Sequence, residues 1–123
     1  MQVKILRGKI HRATVTGADV DYEGSITLDA SLMEAANILP HQEVEVWDVT
    51  NGERLQTYAV PGAPSSGVVC INGAAARKIH VGDLVIVAAY GWLDDRDAAA
   101  WQPCIISVDE RNQRVQRLRS VAG

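Results

Sequence analysis

Phenylalanine is absent from this 123-residue chain and aromatic residues make up only 5% of it, so a core has to be assembled from Val, Ile, Leu and Ala. Small-residue cores suit tight β-barrels, and shared subunit interfaces can extend them. Cysteine is scarce as well. Cys70 and Cys104 show no CxxC or Cys/His spacing, and no charged, apolar and small-residue order of a signal peptide stands near the N-terminus. The pattern reads as a reduced, cytoplasmic protein with no metal. No basic block exists: the 12 Lys and Arg are scattered, and net charge is −3, which argues against a nucleic-acid partner. The longest apolar run, residues 84–90, is less than half of the roughly 20 residues needed to cross a bilayer, so a soluble chain with no membrane partner is expected. HExxH and phosphate-cradling glycine motifs are also missing.

What is present is a 47% hydrophobic composition, enough for one compact domain spanning residues 1–123. Residues 2–15 alternate apolar and polar side chains as a strand does, which puts Lys9 and His11 on one face. Residues 17–24 read as turn-rich and Ser25 begins a short strand over 25–28. Asp29 can cap a helix over residues 30–37, with Pro40 preventing its continuation.

Residues 43–50 and 54–60 are two alternating runs joined through Asn51-Gly52, a hairpin signal. On the second run Arg54, Gln56 and Tyr58 point one way, Leu55 and Thr57 the other. Short strands are expected at 68–71, 84–90 and 104–108, a helical turn at 72–76, and a charged loop at 94–97. Residues from about Arg111 onward are polar and read as loosely held. Seven or so short strands with one or two short helices argue for a mainly β, closed or nearly closed barrel.

One bond invites chemistry. The Ser25 hydroxyl can attack the Gly24 carbonyl carbon and convert the amide to an ester, after which elimination releases the upstream piece and hydrolysis leaves a ketone. Glycine at 24 exposes that carbonyl and can adopt strained dihedrals costing on the order of 1–3 kcal/mol. Gly-Ser is also an ordinary turn, so the dipeptide alone decides nothing.

The context does more. Gly8-Lys9-Ile10-His11-Arg12-Ala13-Thr14-Val15-Thr16, Ala18-Asp19 and Tyr22-Glu23-Gly24-Ser25 resemble the N-terminal signature of pyruvoyl-dependent aspartate 1-decarboxylases. Val49-Thr50-Asn51-Gly52, Arg54, Thr57-Tyr58-Ala59, Asn72-Gly73-Ala74-Ala75-Ala76 and Val81-Gly82-Asp83 are similar to that family too, so the resemblance covers about residues 6–90. One departure is Ile26, where some members of the family carry cysteine.

The resemblance implies a double-psi β-barrel, a homotetramer with sites between subunits, and self-cleavage into residues 1–24 (the β chain) and 25–123 (the α chain). It implies conversion of L-aspartate to β-alanine and carbon dioxide, supplying pantothenate and coenzyme A synthesis. Ser25 would become the pyruvoyl cofactor and the site of the substrate Schiff base, with no pyridoxal phosphate. Tyr58 would be the proton donor, and Thr57 and the backbone of Gly73, Ala74 and Ala75 would bind substrate.

The residue chemistry agrees. A carbonyl that forms an imine with the substrate can take up the electron pair left at Cα, which no ordinary side chain can. A phenol can deliver one proton, and N–H groups at a helix start can hold a carboxylate. Aspartate brings two carboxylates, so Arg54 and Lys9 are candidate cations. Asn72 can hydrogen-bond the pyruvoyl oxygen or cap a turn, and His11 is either an auxiliary group or a structural histidine. Nothing in these residues distinguishes unaided cleavage from cleavage assisted by a maturation factor.

Three rivals remain open at this level. They are a serine hydrolase using Ser25 with His11 or His80, a non-catalytic barrel module, and a pyruvoyl-dependent decarboxylase of another amino acid.

Overall fold

Period-two alternation dominates the chain, and the computed structural model, which describes residues 1–115, turns it into nine strands among the described residues. In chain order these are β1 (Gln2–Thr14), β2 (Gly17–Asp19), β3 (Ser25–Asp29), β4 (Glu43–Asp48), β5 (Arg54–Gly62), β6 (Val69–Asn72), β7 (Leu84–Asp94), β8 (Cys104–Val108) and β9 (Arg114–Val115). Helix α1 (Ala30–Ala35) follows β3, a 3-10 turn (Gly73–Arg77) follows β6, and helix α2 (Asp95–Ala98) follows β7. No helix among the described residues is long and apolar enough to cross a membrane.

Strands β6, β3, β5, β4, β7 and β1 are neighbours in that order. The ring closes through the first segment of the chain. Beyond β1, Val15 N–H donates to Asp83 O at 2.9 Å and Thr16 N–H to Val69 O at 2.8 Å; β2 then lies parallel to β6. One stretch of chain thus leaves β7 and arrives at β6. With β3 parallel to β5 and the remaining ring pairs antiparallel, the result is the mixed double-psi β-barrel that the resemblance implies. Strands β8 and β9 extend β1 outside the ring.

The barrel is filled as the missing phenylalanine requires. Ile10, Ile26, Leu28, Val46, Val69 and Val87 are fully buried, and each such side chain contributes roughly 1.5–3 kcal/mol relative to exposure. Helix α1 starts where Asp29 Oδ1 accepts the Ser31 N–H at 2.8 Å. The other Asp29 oxygen accepts from Gly67 N–H at 2.9 Å, so the cap also fastens the loop that follows β5.

Several expectations need correction. Residues 17–19 form strand β2 instead of a turn, because their hydrogen-bond partner is the distant β6. Strand β7 runs on to Asp94, and the charged segment after it is α2, capped by Asp94 accepting the Arg96 N–H. Strand β9 was not anticipated. Nor is the segment after Arg111 loose throughout: Asn112 is 1% exposed, exchanging hydrogen bonds with the Thr14 backbone at 2.7 Å and donating to Gly67 O at 2.8 Å. The rest of that expectation, residues 116–123, lies outside the described residues.

Candidate active site

Strand β3 opens at Ser25, and its antiparallel partner β6 ends at Asn72, so the two residues face each other in register. Ile26 and Ile71, the next pair, enter the core. Ser25 and Asn72 therefore lie on the opposite face, yet both are buried, at 3% and 4% exposure. Asn72 Nδ2 donates to Ser25 Oγ and to Thr27 Oγ1, each at 3.0 Å. The Ser25 hydroxyl donates in turn to Glu23 O at 3.4 Å. Asn72 Oδ1 accepts the Cys70 thiol at 3.4 Å. The amide makes no capping bond to the 3-10 turn that follows it, so its polar atoms serve the serine cluster.

Gly24 itself corrects an expectation. Its φ is not in the left-handed region, and a Cβ built on it would meet nothing within 4 Å. The constrained glycine is Gly73, at φ +80°, where a Cβ would stand 2.6 Å from Gly24 Cα and 3.2 Å from Tyr22 O. The left-handed turn at 73 makes room for the backbone next to the Gly24-Ser25 bond, as only glycine can do without strain.

Strand β5 brings the next group. Ile26 pairs with Ala59 in a parallel register, and both are fully buried. Tyr58, one step back on β5 as Ser25 is on β3, faces away from the core and is 37% exposed, its ring 6.4 Å from that of His41. Arg54 shares the exposed face of β5 as expected, with its guanidinium 4.7 Å above the Trp47 ring, while Thr57 on the other face is half-buried. Ala74 and Ala75 follow Gly73 in the 3-10 turn, Ala74 exposed and Ala75 half-buried.

Lys9 and His11 stand elsewhere in the ring. They lie on β1, which β5, β4 and β7 separate from β3. Lys9 is buried, at 7% exposure. His11 pairs with Ser107 of β8 and lines an open hollow of about 440 Å³ with Arg12, Leu84 and Asp109. His80 is on the β6–β7 connection, its Nδ1 3.8 Å from Asp83 Oδ2.

The residues that sequence reading missed are Thr27 and Cys70. Each stands two positions from a residue already singled out, on the same face of its strand, and the period-two rule was the available signal.

The family model described as aspartate decarboxylase matches residues 1–115. The chain belongs to the aspartate decarboxylase family. A relative named aspartate 1-decarboxylase from Syntrophotalea carbinolica is 56% identical over 112 residues, covering 91% of this chain and 86% of the relative. One from Syntrophus aciditrophicus is 55% identical, covering 92% and 97% respectively. One from Rhodopirellula baltica is 56% identical over 120 residues, covering 98% and 77%. A crystal structure of a rationally designed protein also aligns, with a TM-score of 0.44 and 21% identity, over 71% of this chain and 96% of that one. Within the aspartate decarboxylase family assignment, the buried Ser25–Asn72 pair is the feature that the site has to explain.

Proposed function

We propose that this protein decarboxylates L-aspartate to β-alanine with a pyruvoyl group made from its own Ser25. The observation that carries the reading is a buried serine hydroxyl next to Gly24, held by an amide N–H at 3.0 Å, in a chain whose relatives at 55–56% identity are named aspartate 1-decarboxylase.

Cleavage needs only this chain's atoms and water. Ser25 Oγ bonds to the Gly24 carbonyl carbon, the C–N bond breaks, and the hydroxyl proton ends on the freed nitrogen, leaving an ester. Loss of the Ser25 α-proton with rupture of the Cβ–O bond frees residues 1–24 with a Gly24 carboxylate. Water then releases ammonia from the enamine at residue 25 and leaves a ketone.

The surroundings fit that group, because Ser25 is buried and the Asn72 N–H stands beside its side chain. The ketone supplies a carbonyl that accepts the electron pair left when carbon dioxide departs. Tyr58, on the outer face of β5, donates the proton that replaces the carboxylate at Cα. Backbone N–H groups of Gly73, Ala74 and Ala75, with Thr57, hold a substrate carboxylate, and Arg54 and Lys9 provide the positive charge that two carboxylates require. With Lys9 on β1 and Arg54 on β5, assembly of two subunits of a homotetramer is the arrangement that lets cations from different parts of the barrel meet one substrate. The product suits pantothenate synthesis in the cytoplasm.

Intact-mass spectrometry of the purified protein, alongside a β-alanine assay, is the test. The expected species are residues 1–24 and residues 25–123, the latter lighter by one ammonia than a serine-terminated chain. Full turnover by a chain that is never cut, or turnover that depends on added pyridoxal phosphate, overturns the reading. The serine hydrolase reading is disfavoured by the Ser25 hydroxyl being engaged by an amide and a carbonyl.

A further inference from the structure

A side-chain amide presents either a donor or an acceptor to its neighbour, depending on a half-turn about its last bond, and what lies on its far side decides which. At Asn72 the far side is Cys70. Cys70 precedes Asn72 by two positions on β6 and therefore shares its face; its thiol lies 3.4 Å from Asn72 Oδ1. An amide turned the other way would exchange this S–H···O bond for an N–H···S contact, in which sulfur is only a weak acceptor. We infer that Cys70 is a positioning residue for self-cleavage: its S–H fixes the Asn72 amide so that Nδ2, and not Oδ1, faces the Ser25 hydroxyl.

Three further observations bear on this. The cluster is built by register, since Thr27 faces Cys70 as Ser25 faces Asn72 across the β3–β6 pair. Thr27 takes the second Asn72 N–H at 3.0 Å, so both ends of the amide are engaged away from the serine as well as towards it. Gly17 of β2 leaves the sulfur its place, because a Cβ there would stand 3.1 Å from Sγ. Burial, with the Asp19 charge adding to it, pushes the Cys70 thiol up from its ordinary value of 9.0, so it stays an S–H donor through the neutral range.

The consequence is chemical. When Oγ bonds to the Gly24 carbon and its proton leaves, the oxygen passes through a stage of greater negative charge, and a fixed N–H beside it lowers that barrier. An amide turned to present Oδ1 would repel the same charge. Cys70 touches neither the scissile bond nor the substrate; it acts through Asn72.

This inference rests on the cleavage proposed above, and the two are separable by experiment. Freshly made Cys70→Ser, Cys70→Val and wild-type chains are followed by intact mass during maturation, with thermal unfolding recorded in parallel, and the same substitutions are made on an Asn72→Ala background. The hydroxyl of Cys70→Ser restores a donor and is expected to cleave at close to the wild-type rate. Cys70→Val, of similar size without a donor, is expected to cleave about tenfold more slowly, the upper range for one hydrogen bond. On the Asn72→Ala background the Ser and Val forms should cleave alike. Equal cleavage of Cys70→Val and wild type, or an equal Val defect without the Asn72 amide, overturns the role of Cys70. Absence of cleavage in the wild type overturns the function itself.

Discussion

Gly73 makes room for the backbone at Gly24: a Cβ at 73 would stand 2.6 Å from Gly24 Cα, whereas one at 24 would meet nothing within 4 Å. The two glycines are therefore unlike. Gly73→Ala must distort a φ of +80° and displace the residue before Ser25, and it is expected to lose about 1–3 kcal/mol of stability and to slow cleavage. Gly24→Ala should fold with an unfolding midpoint close to wild type. Thermal scans and intact mass on both variants check this, and equal destabilisation by the two would contradict it.

Ser25→Ala removes the only atom proposed to attack the Gly24 carbonyl, so it should remain full length and produce no β-alanine. Tyr58→Phe keeps the β5 strand and the exposed ring, and it should cleave normally while kcat falls roughly 100-fold or more, as expected for a lost proton donor. Mass spectrometry and a product assay on the same samples separate the two effects. Normal turnover by the Phe variant would remove Tyr58 from its role.

The Asp29 carboxylate is 1% exposed and accepts N–H groups of Ser31, Ser65 and Gly67. Burial pushes its pKa up, but the backbone donors outweigh burial and hold it below its ordinary 3.8. A folded-state value below the unfolded one gives stability that is complete above about 3.8 and fades as pH falls through the folded value. Asp29→Asn should therefore be less stable than wild type at neutral pH, by about 1–3 kcal/mol, with the difference shrinking under acid. Urea unfolding at pH 7 and near pH 3 measures it.

Asp48 behaves in the opposite sense. Its Oδ1 accepts the Thr50 and Asn51 N–H groups, while its buried Oδ2 finds no ordinary donor. Burial, and a hydrogen bond shared with the Asp83 carboxyl, raise the Asp48 pKa, and the same bond lowers that of Asp83. When Asp48 carries its proton, it can donate that bond to Asp83. For Asp48 a raised folded value means stability that is present below its ordinary 3.8 and is lost as pH rises through the folded value. Asp48→Asn places a permanent N–H donor there, and its stability relative to wild type should improve as pH rises from 4 to 8. A relative stability that is flat or falls over this range would show that the two carboxyl groups do not share a proton.

Arg54→Lys keeps the charge but loses the planar fork that pairs with a carboxylate and stacks on Trp47. Cleavage should be unaffected, and KM for aspartate should rise roughly tenfold. Equal kinetic constants would remove Arg54 from substrate binding.

Much of this was legible along the chain. The alternation at Arg54, Gln56 and Tyr58 put Tyr58 on the outer face of β5, the Asp29 cap marked the start of α1, and the Gly24-Ser25 bond stood at a strand entry as expected. These are local facts, set by the two-residue period of a strand and by capping chemistry within a few residues. Residues 17–19 were misread because their own composition is that of a turn, and only the distant β6 makes them a strand.

The sequence by itself determined an aliphatic β-barrel with a serine after a glycine at a strand entry. Tertiary structure alone decided what that serine meets. Asn72 lies 47 positions away and comes to Ser25 Oγ because closure of the ring sets the β3–β6 register. The same register puts Cys70 opposite Thr27 and Gly73 beneath Gly24. A side chain's face follows from its own strand, but the strand across from it is chosen by burial of the whole barrel, and a slip of one residue would turn Asn72 into the core and leave Ser25 without its donor.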